Sequence, residues 1–163
     1  MRRFFNGCCV ALAVTVLLPS LAEGQRGRNQ VKEGNRFYGE GRFDEAHQKY
    51  LEALLDDPDS PLIRFNDGNA LYRGEDLQQA MERFLKAAES EDPALRSAAW
   101  YNLGNALYRQ QKLQESLEAY KEALRANPSD VDSKYNLERV LEQLQQQEQQ
   151  SQDQQKQEGQ EPQ

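Results

Sequence analysis

The feature that most constrains this chain is a glycine that returns together with its neighbours. Gly34, Gly68 and Gly104 stand 34 (68 minus 34) and 36 (104 minus 68) residues apart. Aligned without gaps, the stretch from Phe65 to Ala88 (FNDGNALYRGEDLQQAMERFLKAA) and the one from Tyr101 pair Phe65/Tyr101, Asn66/Asn102, Gly68/Gly104, Asn69/Asn105, Ala70/Ala106, Leu71/Leu107, Tyr72/Tyr108, Arg73/Arg109, Leu77/Leu113 and Phe84/Tyr120. A fainter copy runs from Gly34 to Pro58, with Gly34, Asn35, Tyr38, Tyr50 and Ala53 on the same lattice. A period in this range predicts an all-α solenoid of two-helix units, because a single hairpin cannot bury its apolar face alone.

Apolar spacing and punctuation place the units. Val31, Gly34, Phe37 and Tyr38 share one helical face, Gly39-Glu40-Gly41 breaks it, and Phe43, Ala46, Tyr50, Ala53 and Leu54 form a second stripe, which predicts a hairpin over 29–58. Asp56 to Pro61 (DDPDSP) ends it, since each proline lacks an amide donor, and Ser60 with Pro61 is expected to open the next helix. The second unit is expected over 61–93 with Gly74 at its bend, and the third over 94–128, closed by Asn127-Pro128. Ser129-Asp130 then caps a seventh helix, expected over 129–148, whose Tyr135-Asn136-Leu137 echoes Tyr101-Asn102-Leu103. With no second helix after it, it reads as the cap of the solenoid. After Leu144 no aliphatic or aromatic residue follows, and 12 of the 21 residues from Gln143 to Gln163 are glutamine, so 149–163 is expected to be a disordered spacer rather than a coiled coil.

The N-terminal 22 residues read as an export signal. Arg2 and Arg3 supply the charge, Cys8 to Leu18 an apolar core shorter than the roughly 20 residues a spanning helix needs, and Pro19-Ser20-Leu21-Ala22 a cleavage site. Cleavage after Ala22 is therefore expected over the alternative, retention as a signal anchor in the inner membrane. Residues 23–28 (EGQRGR) then form a polar lead-in. Cleavage after Ala22 removes both cysteines, which excludes disulfides, zinc-thiolate sites and cysteine nucleophiles from the mature chain. It also takes the formal charge from 20 minus 27 to 18 minus 27, that is −9. So acidic a chain argues against nucleic acid as a partner.

These positions resemble the tetratricopeptide repeat (TPR) family over about Asn29 to Leu144. Trp100, Leu103, Gly104, Tyr120, Ala123 and Pro128 occupy its characteristic positions in the third unit; Gly34, Ala46, Tyr50, Ala53 and Pro58 do so in the first, and Gly68, Ala80, Phe84 and Ala87 in the second. Ser116 and Asp67 depart from the pattern, standing where the family has a small alanine and a leucine. The resemblance implies a right-handed superhelical solenoid of three hairpins plus a capping helix, with aromatics between units. The signal, three GNALYR-like repeats, a KYNLE helix and a glutamine-rich tail together also resemble the TPR component of bacterial aerotolerance-type (Bat) operons. That implies a periplasmic protein beside von Willebrand A-type membrane proteins and a MoxR-type ATPase system, without a membrane span once the signal is cleaved.

The TPR resemblance implies a concave groove lined by the first helix of each hairpin. Asn35, Asn69 and Asn105, with Asn66 and Asn102 one turn before the last two, recur there beside Tyr38, Tyr72 and Tyr108, with Arg73 and Arg109 following. Amides donate and accept at once, which suits a peptide backbone, and the arginines suit acidic side chains; the alternative is that the asparagines bond neighbouring helices. Some TPR domains grip a C-terminal carboxylate with basic residues that correspond to Ala98 and Asn102 here, so that activity is not expected. His47, the lone histidine, falls on a second helix and is expected to be a solvated surface group. No catalytic residue, metal or cofactor is expected. The function expected is a protein-protein scaffold binding a partner segment, the alternative a periplasmic peptide-binding adaptor or holdase.

Overall fold

A computed structural model describes the backbone of residues 21–158 and the side chains of residues 27–155. Apart from Leu21 and Ala22, the expected signal segment lies outside the described residues, as do residues 159–163. The described chain forms seven helices: α1 (Leu21–Gly39), α2 (Phe43–Asp56), α3 (Pro61–Arg73), α4 (Leu77–Ala87), α5 (Pro93–Arg109), α6 (Leu113–Ala126) and α7 (Val131–Glu158). Helices α1/α2, α3/α4 and α5/α6 are the three expected hairpins, and α7 packs on α6. The first helices of successive hairpins touch, α1 with α3 and α3 with α5, whereas α2, α4 and α6 make no comparable contact with one another. The first helices therefore form the inner layer of the curve and the second helices the outer one.

Each hairpin turns in the same way. The amides of Arg42, Asp76 and Lys112 donate to the carbonyls of Phe37, Leu71 and Leu107 at 2.9–3.0 Å, closing the helix end around one residue of positive φ. That residue is Gly41 (φ 77°) in the first hairpin, Glu75 (φ 69°) in the second and Gln111 (φ 60°) in the third. Within each hairpin the two helices meet at the recurrent glycine. A Cβ added to Gly104 would lie 2.6 Å from Cε1 of Tyr120, and Gly34 and Gly68 face Tyr50 and Phe84 equally closely. These three rings are the largest groups of the interior, at most 1% exposed, and the alanines Ala46, Ala53, Ala80, Ala87 and Ala123 fill in around them.

Several local expectations change. Ser60 precedes α3, but its hydroxyl makes no capping bond, and Pro61 in the first turn does the work by its fixed φ. Asp76, Asp92 and Asp130 are the carboxylate caps, accepting amides of α4, α5 and α7 at 2.9–3.2 Å. Helix α1 begins at Leu21, so 23–28 is helical rather than a lead-in, and buried Gly27 lies against Asp56. Helix α7 continues past 148 to Glu158, in place of the disorder expected from 149. Both departures have one cause. Extending an existing helix avoids the nucleation penalty, and neither run contains a proline; from Gln145 to Glu158 the residues are Gln, Glu, Asp, Ser and Lys, most of them good helix formers.

Candidate functional site

The inner face is built from a hydrogen-bonded ladder of asparagines and tyrosines. Tyr50 on α2 donates its hydroxyl to Oδ1 of Asn35 on α1 at 2.7 Å, and Tyr120 on α6 donates to Oδ1 of Asn105 on α5 at the same distance. Between hairpins, Nδ2 of Asn102 donates to Oδ1 of Asn69 at 2.8 Å, and Nδ2 of Asn136 on α7 donates to Oδ1 of Asn105 at 3.1 Å. The same pairing joins α5 to α3 and α7 to α5, whereas Asn66 of α3 makes no such bond to Asn35 of α1, which accepts from Tyr50 instead. Phe84 stands where the flanking hairpins have tyrosine, so Asn69 accepts only from Asn102 among the described side chains. Burial pushes the Tyr50 and Tyr120 phenols up to about 12, which keeps both neutral and able to donate.

The ladder changes what the asparagines offer. Their carbonyl oxygens are committed to neighbouring helices, and that of Asn105 is filled by two donors. The capacity left on Asn35, Asn69 and Asn105 is on their NH₂ groups, which suits the carbonyl oxygens of a bound strand. Two small clefts open along this face. One, of about 120 Å³, is lined by Asn35, Tyr38, Tyr50, Asn66 and Asn69. The other, of about 80 Å³, is lined by Tyr72, Asn105, Tyr108, Arg109, Tyr120, Asn136 and Arg139. Of the ten residues singled out in the sequence, Asn35, Tyr38, Asn66 and Asn69 thus come together in the first cleft, and Tyr72, Asn105, Tyr108 and Arg109 in the second. Asn102 sits in the ladder between them, and Arg73 is exposed over the ring of Phe43 at 5.2 Å, lining neither cleft.

The second cleft carries the positive charge. The Arg109 guanidinium lies 5.0 Å from the ring centre of Tyr72, with Nη2 3.1 Å from Oε1 of the exposed Glu75. The Arg139 guanidinium lies 5.5 Å from the Tyr108 ring and 5.8 Å from the Tyr135 ring, with no acidic partner among the described residues. Stacking on aromatic faces fixes both cations without neutralising them. Arg139 and Asn136 were not singled out in the sequence; the echo of Tyr101-Asn102-Leu103 in Tyr135-Asn136-Leu137 was the signal that α7 continues the inner face.

The expectation for His47 fails. Its side chain is only 16% exposed, and its Nδ1 lies 2.5 Å from Oδ1 of Asp67, a carboxylate with no exposure at all. The other oxygen, Oδ2, takes Nε of Arg83 at 2.7 Å. Asp67, the departure from the family's leucine, is thus the centre of a polar staple that joins α2, α3 and α4. None of its three residues lines either of the inner clefts.

Two family models described as tetratricopeptide repeat match residues 31–96 and 97–130, together 100 (130 minus 31 plus 1) of the 163 residues. No curated protein matches the chain in sequence. Among solved structures, the first TPR of Spaghetti (RPAP3) bound to the HSP90 peptide SRMEEVD is 23% identical, with 74% of this chain and 94% of that one covered at a TM-score of 0.68. The second TPR domain of human RPAP3, in complex with the HSP70 peptide SGPTIEEVD, is 19% identical over 72% of this chain and 97% of that one, TM-score 0.66. The TPR2AB domain of yeast Sti1, in its pHSP90 complex, is 24% identical, with 77% of this chain but 50% of that one covered, TM-score 0.69. The repeats, the glycine-on-ring contacts and these matches agree, and the chain belongs to the tetratricopeptide repeat family.

Proposed function

We propose that this protein is a non-enzymatic scaffold whose inner face receives an extended segment of a partner protein, an acidic side chain of that segment seating between Arg109 and Arg139. The observation that carries the reading is the cleft where those two guanidiniums, each stacked on tyrosine, converge beside Asn105 and Asn136. A carboxylate there meets two cations held in place before binding, one of them without an acidic partner of its own. The solved relatives named above bind peptides, SRMEEVD in one and SGPTIEEVD in another, which supports a peptide partner for the fold. The carboxylate would be met at other positions here, because Ala98 and Asn102 carry no charge.

Placement in the bacterial cell envelope, and partnership with von Willebrand A-type membrane proteins, extend this proposal. They rest on the N-terminal segment and on the resemblance to the Bat-operon component. No helix among the described residues is long and apolar enough to cross a membrane. N-terminal sequencing of the exported protein is expected to begin at Glu23, and a mature chain that keeps Met1 would overturn the periplasmic reading.

The test of the groove uses the arginines rather than the asparagines, since removing Asn105 would also break the ladder. Arg109→Ser/Arg139→Ser changes exposed groups and should leave the melting temperature unchanged. Affinity purification from envelope extract should then recover the wild-type partner poorly. Undiminished recovery with an intact fold would show that the inner face is not the docking site.

A further inference from the structure

We propose that the outer face of the third hairpin carries a second docking surface, a cleft over α5 that takes the apolar side of a basic amphipathic helix from a partner protein. The cleft, of about 400 Å³, has an apolar floor made by Trp100, Leu103 and Leu107, a stripe along α5, and by Ala119 of α6. Every charged residue lining it is acidic: Glu115, Glu118 and Glu122, one above another along α6. Across from them on α4, Met81 belongs to the same apolar cluster as Leu103 and Ala119, and Leu85, one turn further along, is 50% exposed.

The second hairpin shows what closes this cleft when no occupant is needed. Shifted by 36 residues, Leu103 corresponds to Asp67 and Ala119 to Arg83; shifted by 34, Met81 corresponds to His47. Those three are the buried staple, so the preceding cleft is filled by the Arg83 side chain and cross-linked through Asp67 to α2. In the third hairpin the arginine has become alanine and the acid leucine, leaving an apolar slot open where its counterpart is shut. The rim changes with it, since Glu115, Glu118 and Glu122 correspond to Gln79, Glu82 and Lys86. An apolar slot beside a row of carboxylates selects a helix with one apolar stripe flanked by Lys or Arg. Glu118 and Glu122 already pair with Lys121 and Arg125 on their own helix, but these pairs are exposed and contribute little, so the carboxylates can exchange to an incoming cation. The glutamine-rich end of α7 has no apolar residue and cannot be the occupant. Neither Arg109 nor Arg139 lines this cleft, so the inference stands apart from the inner-face reading.

Trp100, the single tryptophan of the chain, lies in the floor and reports on occupancy directly. The probe is a synthetic Leu/Lys amphipathic peptide of about 18 residues, five helical turns, containing no tryptophan. A saturable blue shift of Trp100 emission is expected. Glu115→Lys/Glu118→Lys/Glu122→Lys should weaken it by about tenfold or more, whereas the same charge change at Asp56, Asp57 and Asp59 should leave it within about twofold. Leu103→Asp/Ala119→Arg, which copies the second hairpin, should abolish the shift if it folds; the surface triple keeps the test decisive if it does not. No saturable shift, or equal weakening by both charge-reversed triples, would overturn the proposal. A Trp100 shift that follows protein concentration alone, without peptide, would replace it with self-association.

Discussion

One hydroxyl distinguishes the ring of the second hairpin from those on either side, and it sets a pH dependence. Tyr50 and Tyr120 are held at about 12 by burial, above the roughly 10 of an unfolded tyrosine, so the folded state favours the neutral phenol. Their contribution is complete below pH about 10 and is lost as pH rises through about 12. Urea midpoints measured from pH 8 to about 11.5 should fall in the upper part of that range, and Tyr50→Phe/Tyr120→Phe should flatten the fall. At neutral pH each change should cost about 0.5–1.5 kcal/mol for the lost bond to Asn35 or Asn105. A second residue-scale prediction concerns the hairpin bends. Gln111 holds φ 60°, where the first hairpin has Gly41, and its side chain is exposed. Gln111→Gly should therefore raise stability by about 0.5–1 kcal/mol, read as an increased urea midpoint. Glu75 is the poorer site for the same change because its carboxylate meets Arg109.

Between helices, the His47–Asp67–Arg83 staple is the least replaceable contact and the most replaceable set. Arg83→Ala leaves a carboxylate of zero exposure with only His47 beside it, and should cost about 3 kcal/mol in chemical unfolding. His47→Met/Asp67→Leu/Arg83→Ala, which writes the Met81, Leu103 and Ala119 of the junction between the second and third hairpins into the junction between the first and second, should be within about 1 kcal/mol of wild type or more stable, because a well-packed apolar set replaces a desolvated ionic one. This staple also marks where reading the chain stops working. The glycine-on-ring contact is legible because every hairpin needs it, so it repeats in Gly34/Tyr50, Gly68/Phe84 and Gly104/Tyr120. Asp67 is unreadable in that way: it recruits one partner 20 residues before it and one 16 after, on two other helices, and nothing repeats. The asparagine ladder lies between these cases. Its recurrence is visible in the sequence, but not which atoms are spent: the carbonyls of Asn35, Asn69 and Asn105 accept from neighbouring helices, while Asn102 and Asn136 give up an amino donor. The outer cleft was invisible for a simpler reason, since it consists of what Ala119 leaves out.

At the scale of the whole molecule, α7 does two separate jobs along its length. Its first half closes the solenoid: Val140 is 1% exposed, and Leu137 and Leu144 pack with it against Leu113, Leu117 and Tyr120. From residue 145 every described side chain is exposed, so the helix runs on without tertiary support. Stability in such an array is a sum of units and their interfaces, so the two halves should separate cleanly when the chain is shortened. Ending the chain after Glu148 removes no buried side chain among the described residues and should leave the melting temperature unchanged, with a small loss of helical circular dichroism. Ending it after Asn127 uncovers Leu113, Leu117 and Tyr120 and discards three packed aliphatics, each contributing up to about 1.5–3 kcal/mol. That truncation should cost about 4 kcal/mol or more, and its loss of amide protection should be greatest in α6, less in α5, and least in α1 and α2, because each unit rests only on its neighbours. The same truncation removes Asn136 and Arg139 from the inner cleft but leaves Trp100, Leu103 and Ala119 in place. A chain cut there, if it retains α5 and α6 at low temperature, should lose the acidic-peptide site while still shifting Trp100 emission with the Leu/Lys peptide. Joint loss of both responses, with α5 and α6 still folded, would mean that the two faces are one surface.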